Sequence, residues 1–191
     1  MVYRYADVIS GKATIGKRVA IIGAGGIGFD VAEYLSQSPP SPTTDISRWM
    51  QEWGVDMSLA NRGGLAKPHV EPSPREIWLL QRTPGKPGRR LNKTTGWVHR
   101  AALKAKGVQT LGGVAYERID EAGLHLRVDG ESRLLAVDNV VICAGQESNR
   151  ALADELIALG VTIHVIGGAD VAAELDAKRA IAQATRVAAA L

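Results

Sequence analysis

The sequence is short of aromatic residues, of cysteine and of long apolar runs, and each shortage excludes a class of protein. Aromatic residues make up 5% of the 191 residues, so the core must consist mainly of Ala, Val, Ile and Leu, as in layered α/β folds. The single cysteine, Cys143, excludes a disulfide framework, a redox-active cysteine pair and a cysteine-ligated zinc or iron–sulfur site within the chain. No apolar run approaches the roughly 18–20 residues of a membrane span, and the first residues do not form a signal peptide. We therefore expect a soluble, cytoplasmic protein without a membrane partner.

Acidic residues are missing from one long stretch of the chain. Residues 77–116 contain no Asp or Glu, but they hold eight cations: Arg82, Lys86, Arg89, Arg90, Lys93, Arg100, Lys104 and Lys106. Because these cations repel one another, such a segment either binds an anion or is exposed to water. Because no helix-turn-helix, zinc-finger or RNP pattern accompanies the cations, we expect a phosphorylated small molecule rather than nucleic acid.

Alternating apolar runs and helical patterns predict an α/β fold with a Rossmann-like parallel sheet. Residues 18–22 are apolar and β-branched, which is typical of a strand buried on both faces, and a helix is expected from the following glycine loop to Ser36. Further strands are predicted at 76–82, 108–111, 139–145 and 161–166, and further helices at 95–106, 150–159 and 173–191. Alternating stretches at 116–120, 124–128 and 134–137, with an Asp129-Gly130 turn, predict an antiparallel β-meander.

Two segments do not follow this alternation. Residues 1–16 are short and mixed, and we interpret them as a lead-in segment. Residues 37–74, here called the excursion, contain six prolines and predict a long irregular loop with one short helix over 46–53, capped by Thr44 or Asp45. A loop this long inside a compact domain usually serves function or an interface, so we expect the excursion to expose apolar side chains toward another domain.

A glycine motif with the spacing Gly-x-Gly-x-x-Gly follows the first buried strand and opens the helix after it. The first glycine allows a tight turn, the second allows a pyrophosphate to approach the backbone, and the third allows close packing of helix and strand. The phosphates would lie at the helix N-terminus, where free N–H groups and the helix dipole favour negative charge. The predicted dinucleotide contacts are Gly23, Ala24, Gly25, Gly26, Ile27 and Gly28. A purely structural turn is the alternative.

The end of the second strand predicts which dinucleotide binds. An acid there would hydrogen-bond the ribose 2′-hydroxyl of NAD or FAD, whereas an arginine accommodates the 2′-phosphate of NADP. The strand ends in Gln81-Arg82, so we predict NADPH, with Arg82 at the 2′-phosphate and support from Arg89, Arg90 or Lys93. Arg82 lies far beyond the usual ~20 residues from the glycine loop, and the excursion accounts for the surplus. A solvated arginine is the alternative.

No catalytic residue and no metal site is predicted. None of the four tyrosines is followed by lysine four residues later, so the dyad of short-chain dehydrogenases is absent. The four histidines are scattered without the spacing of metal ligands.

Five runs of the sequence carry a family resemblance: Val19–Asp30, Leu80–Arg82, Lys93–Trp97, Val140–Glu147 and Ile166–Ala177. They resemble the C-terminal part of bacterial NADPH-dependent 2,4-dienoyl-CoA reductases, and the resemblance covers essentially the whole chain. The glycine loop is common to many flavoproteins. The Lys-Thr-Thr-Gly-Trp run and the Gly-Gly-x-Asp-Val-Ala-x-Glu-Leu-Asp run are much more specific.

The resemblance implies part of a long iron–sulfur flavoprotein of β-oxidation. In that family an N-terminal barrel carries FMN, a four-cysteine segment carries a [4Fe–4S] cluster, and a glutathione-reductase-like portion has an NADPH domain inserted into an FAD domain. Residues 17–145 would be the NADPH-binding domain, and residues 146–191 the C-terminal part of an incomplete FAD-binding domain. The chain would then be an excised piece or a separately encoded fragment, inactive by itself, whose partners are NADPH and the missing FAD half and barrel.

Individual residues are carried over from the same resemblance. It implies that Asp30 lies near the nicotinamide, that Arg82 binds the 2′-phosphate, and that Asp170 contacts the FAD ribityl chain. Lys93 and Gly145 lie in the matching runs and join the expected cofactor contacts. Two alternatives stay open: a stand-alone NADP(H)-binding or sensing module without chemistry, and the nucleotide domain of a trimethylamine-dehydrogenase-like flavoprotein acting on an amine.

Overall fold

The computed structural model describes residues 1–173 and 177–191 and divides the chain into two units, residues 1–144 and 145–191. The strands are β1 (Val2–Arg4), β2 (Arg18–Ile22), β3 (Glu76–Leu80), β4 (Gln109–Leu111), β5 (Ala115–Asp120), β6 (Gly123–Val128), β7 (Glu131–Leu135) and β8 (Asn139–Ile142). The helices are α1 (Tyr5–Ile9), α2 (Gly26–Leu35), α3 (Ile46–Trp53), α4 (Gly96–Ala105), α5 (Ala151–Ala158), α6 (Gly167–Asp170) and α7 (Ala177–Ala188). None of these helices combines the length and apolar composition of a membrane span.

A five-stranded parallel sheet in the order β1-β8-β2-β3-β4 forms the centre of the first unit and confirms the predicted α/β fold. In the central strand, Ala20 pairs with Trp78 of β3 on one side and with Val140 of β8 on the other. The chain passes outward from β2 to β3 and β4, and later returns to β8 on the opposite side of β2. The carboxyl ends of β2 and β8 therefore form a topological switch point, where open α/β sheets bind their ligands.

Each face of the sheet is covered by a separate layer, because successive strand residues point to opposite faces. Val19, Ile21, Ile77 and Leu79 pack with helix residues, including Phe29, Val31, Leu35 and Leu103. Ala20, Trp78, Leu80 and Val140 pack instead with Leu124, Leu126 and Leu135 of an antiparallel sheet in the order β5-β6-β7. Helices thus cover one face, and the predicted meander covers the other.

The meander turns where its sequence predicts. Asp129 and Gly130 join β6 to β7 as a two-residue loop, and both have the positive φ that a type I′ turn requires. Because this loop is so short, β7 begins at Glu131, so the prediction of a third strand at 134–137 is wrong by three residues at its start.

The interpretation of residues 1–16 as a lead-in segment must be corrected. β1 pairs in parallel with β8, with Tyr3 opposite Val141, and Val8 of α1 is buried in the helical-side core. The first residues are therefore part of the same unit as the glycine loop. A three-residue edge strand is too short to show a hydrophobic period, which explains the error.

The excursion combines a fixed helix with exposed apolar residues. Asp45 caps α3 by accepting a hydrogen bond from the Arg48 backbone N–H, as predicted. Lys106, just after α4, forms an ion pair with Glu52 of α3 at 2.8 Å and donates to the Glu71 carbonyl at 3.0 Å. Ile46, Met57, Leu59 and Leu65 nevertheless remain exposed.

The second unit departs furthest from its prediction. Residues 161–166 adopt no regular structure, so the predicted last strand is wrong. A parallel strand needs a neighbouring strand for its hydrogen bonds, and the described residues of 145–191 contain none. Helix α5 confirms the prediction over 150–159. Helix α7 covers 177–188 of the helix predicted over 173–191, and residues 174–176 of that prediction lie outside the described residues.

Candidate nucleotide-binding site

The glycine loop lies at the switch point, between the end of β2 and the start of α2. The Gly23 N–H donates to the Leu80 carbonyl at 2.9 Å, and the φ of Gly23 is +112°. A Cβ on Gly23 would lie 2.7 Å from the Cys143 carbonyl oxygen, and a Cβ on Gly28 would lie 1.7 Å from the Gly23 carbonyl oxygen. The fold itself therefore requires glycine at the first and third positions of the motif.

The two middle glycines have no such structural reason. A Cβ on Gly25 or Gly26 would meet no atom within 4 Å, so both positions face open space. Helix α2 begins at Gly26, no side chain caps it, and its first turn carries no acid. An anion can therefore approach the backbone here and accept hydrogen bonds from the first helical N–H groups. This open, uncapped helix start fits a pyrophosphate.

The other predicted residues of this loop serve different purposes. Ala24 and Ile27 are half-buried and pack against the helical-side core, so their side chains anchor the loop. Asp30 is exposed one turn further along α2. The structure thus brings Gly23 to Asp30 together around one helix start.

Arg82 lies directly after β3, on a loop whose backbone is firmly held. The Gln81 side-chain amide donates to the Thr83 and Gly85 carbonyls at 2.8 and 3.3 Å, and the Val114 N–H donates to the Gln81 carbonyl at 3.0 Å. Arg82 itself is exposed, and its guanidinium forms no ion pair or hydrogen bond with another described residue. Arg82 is thus an exposed, unpaired cation on a fixed backbone, and its contact with a 2′-phosphate stays a prediction.

The basic loop between β3 and α4 is attached to the helix of the glycine motif. Arg100 donates to the Gly88 carbonyl at 2.9 Å, and a Cβ on Gly88 would lie 2.5 Å from the Phe29 ring of α2. The exposed cations of the loop are Arg82, Lys86, Arg89, Arg90 and Lys93. Since no acid belongs to this stretch, the loop presents positive charge beside the helix that starts at the glycine motif.

Tyr116 is a residue that the sequence analysis missed. It lies on β5, partly buried in the meander-side core, and its hydroxyl is buried without a hydrogen-bond partner among the described residues. Burial raises the pKa of Tyr116 to about 12, although the positive charge of Arg82 opposes this shift. Tyr116 therefore lies within electrostatic range of Arg82. The sequence places this tyrosine in an alternating strand, and that pattern does not show that its hydroxyl is unpartnered or that Arg82 is near.

Two predicted cofactor contacts belong to the second unit. Gly145 is its first residue and has a φ of +80°. The Asp170 carboxylate accepts a hydrogen bond from the Gln183 side chain at 2.9 Å, and Gln183 in turn accepts one from the Gly167 N–H at 2.8 Å. Asp170 is therefore held by α7 inside its own unit, and its contact with a flavin stays a prediction.

No catalytic side chain emerges from the described residues. They contain no group of three or more His, Cys, Asp or Glu that could hold a metal ion. Burial raises the pKa of the Cys143 thiol to about 12, so this thiol is protonated at neutral pH and is not a nucleophile. Binding of a nucleotide at the open helix start stays a prediction.

The fold and the glycine loop define a Rossmann-type nucleotide-binding domain. The chain matches the pyridine nucleotide-disulphide oxidoreductase family over residues 3–180, and it belongs to that family. This family consists of oxidoreductases that are linked to a flavin and a pyridine nucleotide.

Individual relatives are distant and much longer. The chain is 24% identical over 164 residues to a metal reductase of Desulforamulus reducens, covering 85% of this chain and 23% of that protein. It is similar in fold to a 2-naphthoyl-CoA reductase, with a TM-score of 0.64, 19% identity and 94% and 22% of the two chains covered. Histamine dehydrogenase from Rhizobium sp. 4-9 matches with a TM-score of 0.64, 16% identity and 98% and 26% coverage. The chain thus spans about a quarter of the length of these relatives.

Proposed function

We propose that this chain is the NADPH-binding part of an NADPH-dependent flavoprotein reductase, and that the reductase acts on a 2,4-dienoyl-CoA. One observation carries the NADPH assignment. The open, uncapped helix start at Gly25 and Gly26 lies in the same domain as an exposed, unpaired Arg82, which follows the end of the adjacent strand β3 by two residues. The first feature suits any dinucleotide, and the second selects the phosphorylated one.

Different residues of this chain would contact different parts of the nucleotide. The N–H groups at the start of α2 would bind the pyrophosphate, and Arg82 would bind the 2′-phosphate. Asp30, one turn into α2, would lie toward the nicotinamide, and Lys93 and its neighbouring cations would add long-range attraction. When bound, NADPH supplies the hydride that the flavin of such an enzyme accepts. The role of this chain is to bind and orient the nucleotide.

Electrostatics supports the preference for NADPH. The 2′-phosphate adds close to two negative charges. Arg82 lies within residues 77–116, which contain no Asp or Glu that would repel this phosphate. A charge-assisted hydrogen bond contributes roughly 1.5–3 kcal/mol, which corresponds to about 10–100-fold in affinity. Because hydrogen bonds of Gln81 and Val114 already fix the backbone around Arg82, little ordering of that backbone opposes binding.

The dienoyl-CoA assignment rests on the two specific sequence runs. Within the Lys93–Trp97 run, Gly96 is the buried first residue of α4, and Lys93 and Trp97 are exposed.

The division of the chain at residue 144 agrees with the proposed boundary between an NADPH-binding domain and the C-terminal part of an FAD domain. The proposed partners are accordingly NADPH and the FAD half and barrel of the same protein, and the proposed location is the cytoplasm.

Titration calorimetry with NADPH and NADH tests the nucleotide assignment. We expect NADPH to bind and NADH to bind at least about tenfold more weakly. Equal affinity for both nucleotides would contradict the assignment to NADPH.

The coding sequence that flanks this chain tests the finer assignment. A barrel domain and a four-cysteine segment upstream would support the dienoyl-CoA reductase. The chain alone should be colourless and should not oxidise NADPH when a 2,4-dienoyl-CoA is added. Activity of the isolated chain would contradict this proposal.

A trimethylamine-dehydrogenase-like enzyme is the second candidate. The fold similarity to histamine dehydrogenase favours it, as does similarity to the amine oxidase HisD from Pseudomonas geniculata N1, with a TM-score of 0.63, 18% identity and 91% and 22% coverage. Amine-dependent reduction of the flavin in the longer protein, without NADPH, would favour this candidate over the reductase.

A further inference from the structure

A second concave site lies on the helical side of the first unit, apart from the glycine loop. It has a volume of about 310 Å³ and lies between the C-terminal half of α2, helix α4 and the excursion. Trp49 and Trp53 of α3 line one side of it, and Ala101, Ala102 and Ala105 of α4 line another. We call it the tryptophan cleft. No residue of the glycine motif and no cation from Arg82 to Lys93 lines it.

The tryptophan cleft is lined by small side chains on α4 and by large indole rings on α3. Val98, Ala101, Ala102 and Ala105 follow the spacing of one helix face, so α4 presents small apolar side chains to the cleft. Trp49 and Trp53 are also one turn apart, with ring centroids 5.8 Å from each other. Protein interiors hold few voids larger than a water molecule, whereas small-molecule pockets begin near 300 Å³. The volume of the cleft therefore reaches the lower size limit of small-molecule pockets.

The excursion side of the cleft is held by specific contacts, so the cleft is preformed. The Lys106–Glu52 ion pair joins the end of α4 to α3, and its side chains are 8% and 17% exposed. Arg48 Nη2 of α3 donates to both carboxylate oxygens of Glu71, each at 2.7 Å. The His69 N–H donates to the Gln51 carbonyl at 2.9 Å. These contacts bind the excursion helix to the end of α4 and to the segment that follows the excursion helix.

The main polar groups of the cleft are paired within the protein, but some of them can form one further hydrogen bond with a ligand. Glu52 and the Glu71 carbonyl accept from the Lys106 ammonium, which has three protons to donate. His99 Nδ1 lies 2.6 Å from a Glu33 carboxylate oxygen, which leaves Nε2 of the same ring for another partner. Because each cation already faces an acid, a net charge on the ligand would be left uncompensated.

We propose that the tryptophan cleft binds a neutral, flat aromatic molecule of one or two fused rings that carries a carbonyl or hydroxyl group. The rings would pack between the indoles and the alanine face of α4, and the oxygen would meet Lys106 or His99. This site is independent of the nucleotide assignment, because it shares no lining residue with the glycine loop.

Coumarin is a suitable probe because it is neutral, flat and bicyclic and carries a carbonyl. Nitrogen-15 NMR of the chain resolves the four indole N–H groups, of which Trp49 and Trp53 line the cleft. We expect saturable shifts of these two resonances, with a Kd on the order of 10⁻⁴ M. Trp78, buried between the sheet and the meander, should not shift. Naphthalene has similar rings and no acceptor, and it should bind about fivefold more weakly.

Two variants distinguish binding of coumarin in the cleft from nonspecific stacking of coumarin on exposed aromatic rings. Ala102→Phe fills the cleft and should weaken coumarin binding at least about tenfold, whereas Lys104→Phe adds the same ring to an exposed position of α4 and should change nothing. If the Trp78 resonance shows that Ala102→Phe disturbs the fold, Trp49→Ala replaces it, with the same expected loss.

Three results would overturn the proposal. The first is the absence of saturable shifts at Trp49 and Trp53 up to millimolar coumarin. The second is a shift at exposed Trp97 as large as those at Trp49 and Trp53. The third is equal binding by the wild-type chain and a folded cleft variant. Equal affinity for naphthalene would overturn the assigned carbonyl or hydroxyl group.

Discussion

The two units of the chain bury their apolar side chains to very different extents. In residues 1–144, 22 hydrophobic residues are buried, and both faces of the parallel sheet are covered. Among the described residues of 145–191, no hydrophobic side chain is buried, and Leu152, Ile157 and Leu159 are 67%, 55% and 77% exposed. Exposed apolar residues along a helix usually mark a face that packs against another element.

This difference shows which unit carries its own folding energy. The first unit has two layers on one sheet, which is the ordinary way to build a stable domain. In its described residues the second unit has helices of 8, 4 and 12 residues, lengths that are marginal in water without tertiary packing. Within the proposed function, the unit with the core binds NADPH, and the unit without one completes an FAD domain together with a partner.

Separating the units should have the largest effect. We expect residues 1–144 to unfold cooperatively on heating, with a Tm close to that of the whole chain. We expect residues 145–191 alone to show no cooperative transition and little helix, because no hydrophobic side chain is buried among their described residues. Circular dichroism of the two fragments and the whole chain measures this. A cooperative transition in 145–191 alone would remove the contrast between the units.

Within the first unit, the glycines of the motif should separate into two kinds. Gly28→Ala places a Cβ against the Gly23 carbonyl and should destabilise the chain by about 3 kcal/mol or more. Gly25→Ala meets no atom and should cost less than about 1 kcal/mol in stability, while weakening NADPH about tenfold by blocking the pyrophosphate. Urea unfolding and nucleotide titration of both variants are the measurements. Similar stability of the two variants would contradict the assigned roles.

The smallest expected effect concerns the buried hydroxyl of Tyr116. Tyr116→Phe removes a polar group that has no partner among the described residues, so it should stabilise the first unit by about 1 kcal/mol. Tyr34→Phe changes an exposed tyrosine and serves as the matched control, with no expected change. Urea unfolding compares both with the wild-type chain. A loss of stability in Tyr116→Phe would reveal a hydrogen bond to this hydroxyl.

Local sequence patterns predicted the parts of the fold whose reasons are local. The β-branched run before Gly23 gave the central strand, the Asp129-Gly130 pair gave the hairpin, and Asp45 gave the cap of α3. Each depends on a few neighbouring residues and on backbone preferences that act regardless of distant contacts.

The errors arose where distant residues decide the structure. β1 exists because β8, more than a hundred residues away, offers it an edge, and residues 161–166 form no strand because no neighbour pairs with them. The environment of Tyr116 and the tryptophan cleft likewise depend on packing between separate elements. Periodicity along the chain carries no information on such contacts.

The affinity of Arg82 variants for the two nucleotides tests the central claim most directly. The glycine loop binds the pyrophosphate common to NADPH and NADH, so only a contact with the 2′-phosphate distinguishes them. We predict that Arg82→Ala weakens NADPH about 10–100-fold with little effect on NADH, and that Arg82→Glu reverses the preference by repelling the phosphate. Calorimetric titration of both nucleotides into the wild-type chain and both variants measures this. Equal losses for NADPH and NADH would contradict the account, because Arg82 would then be a structural residue.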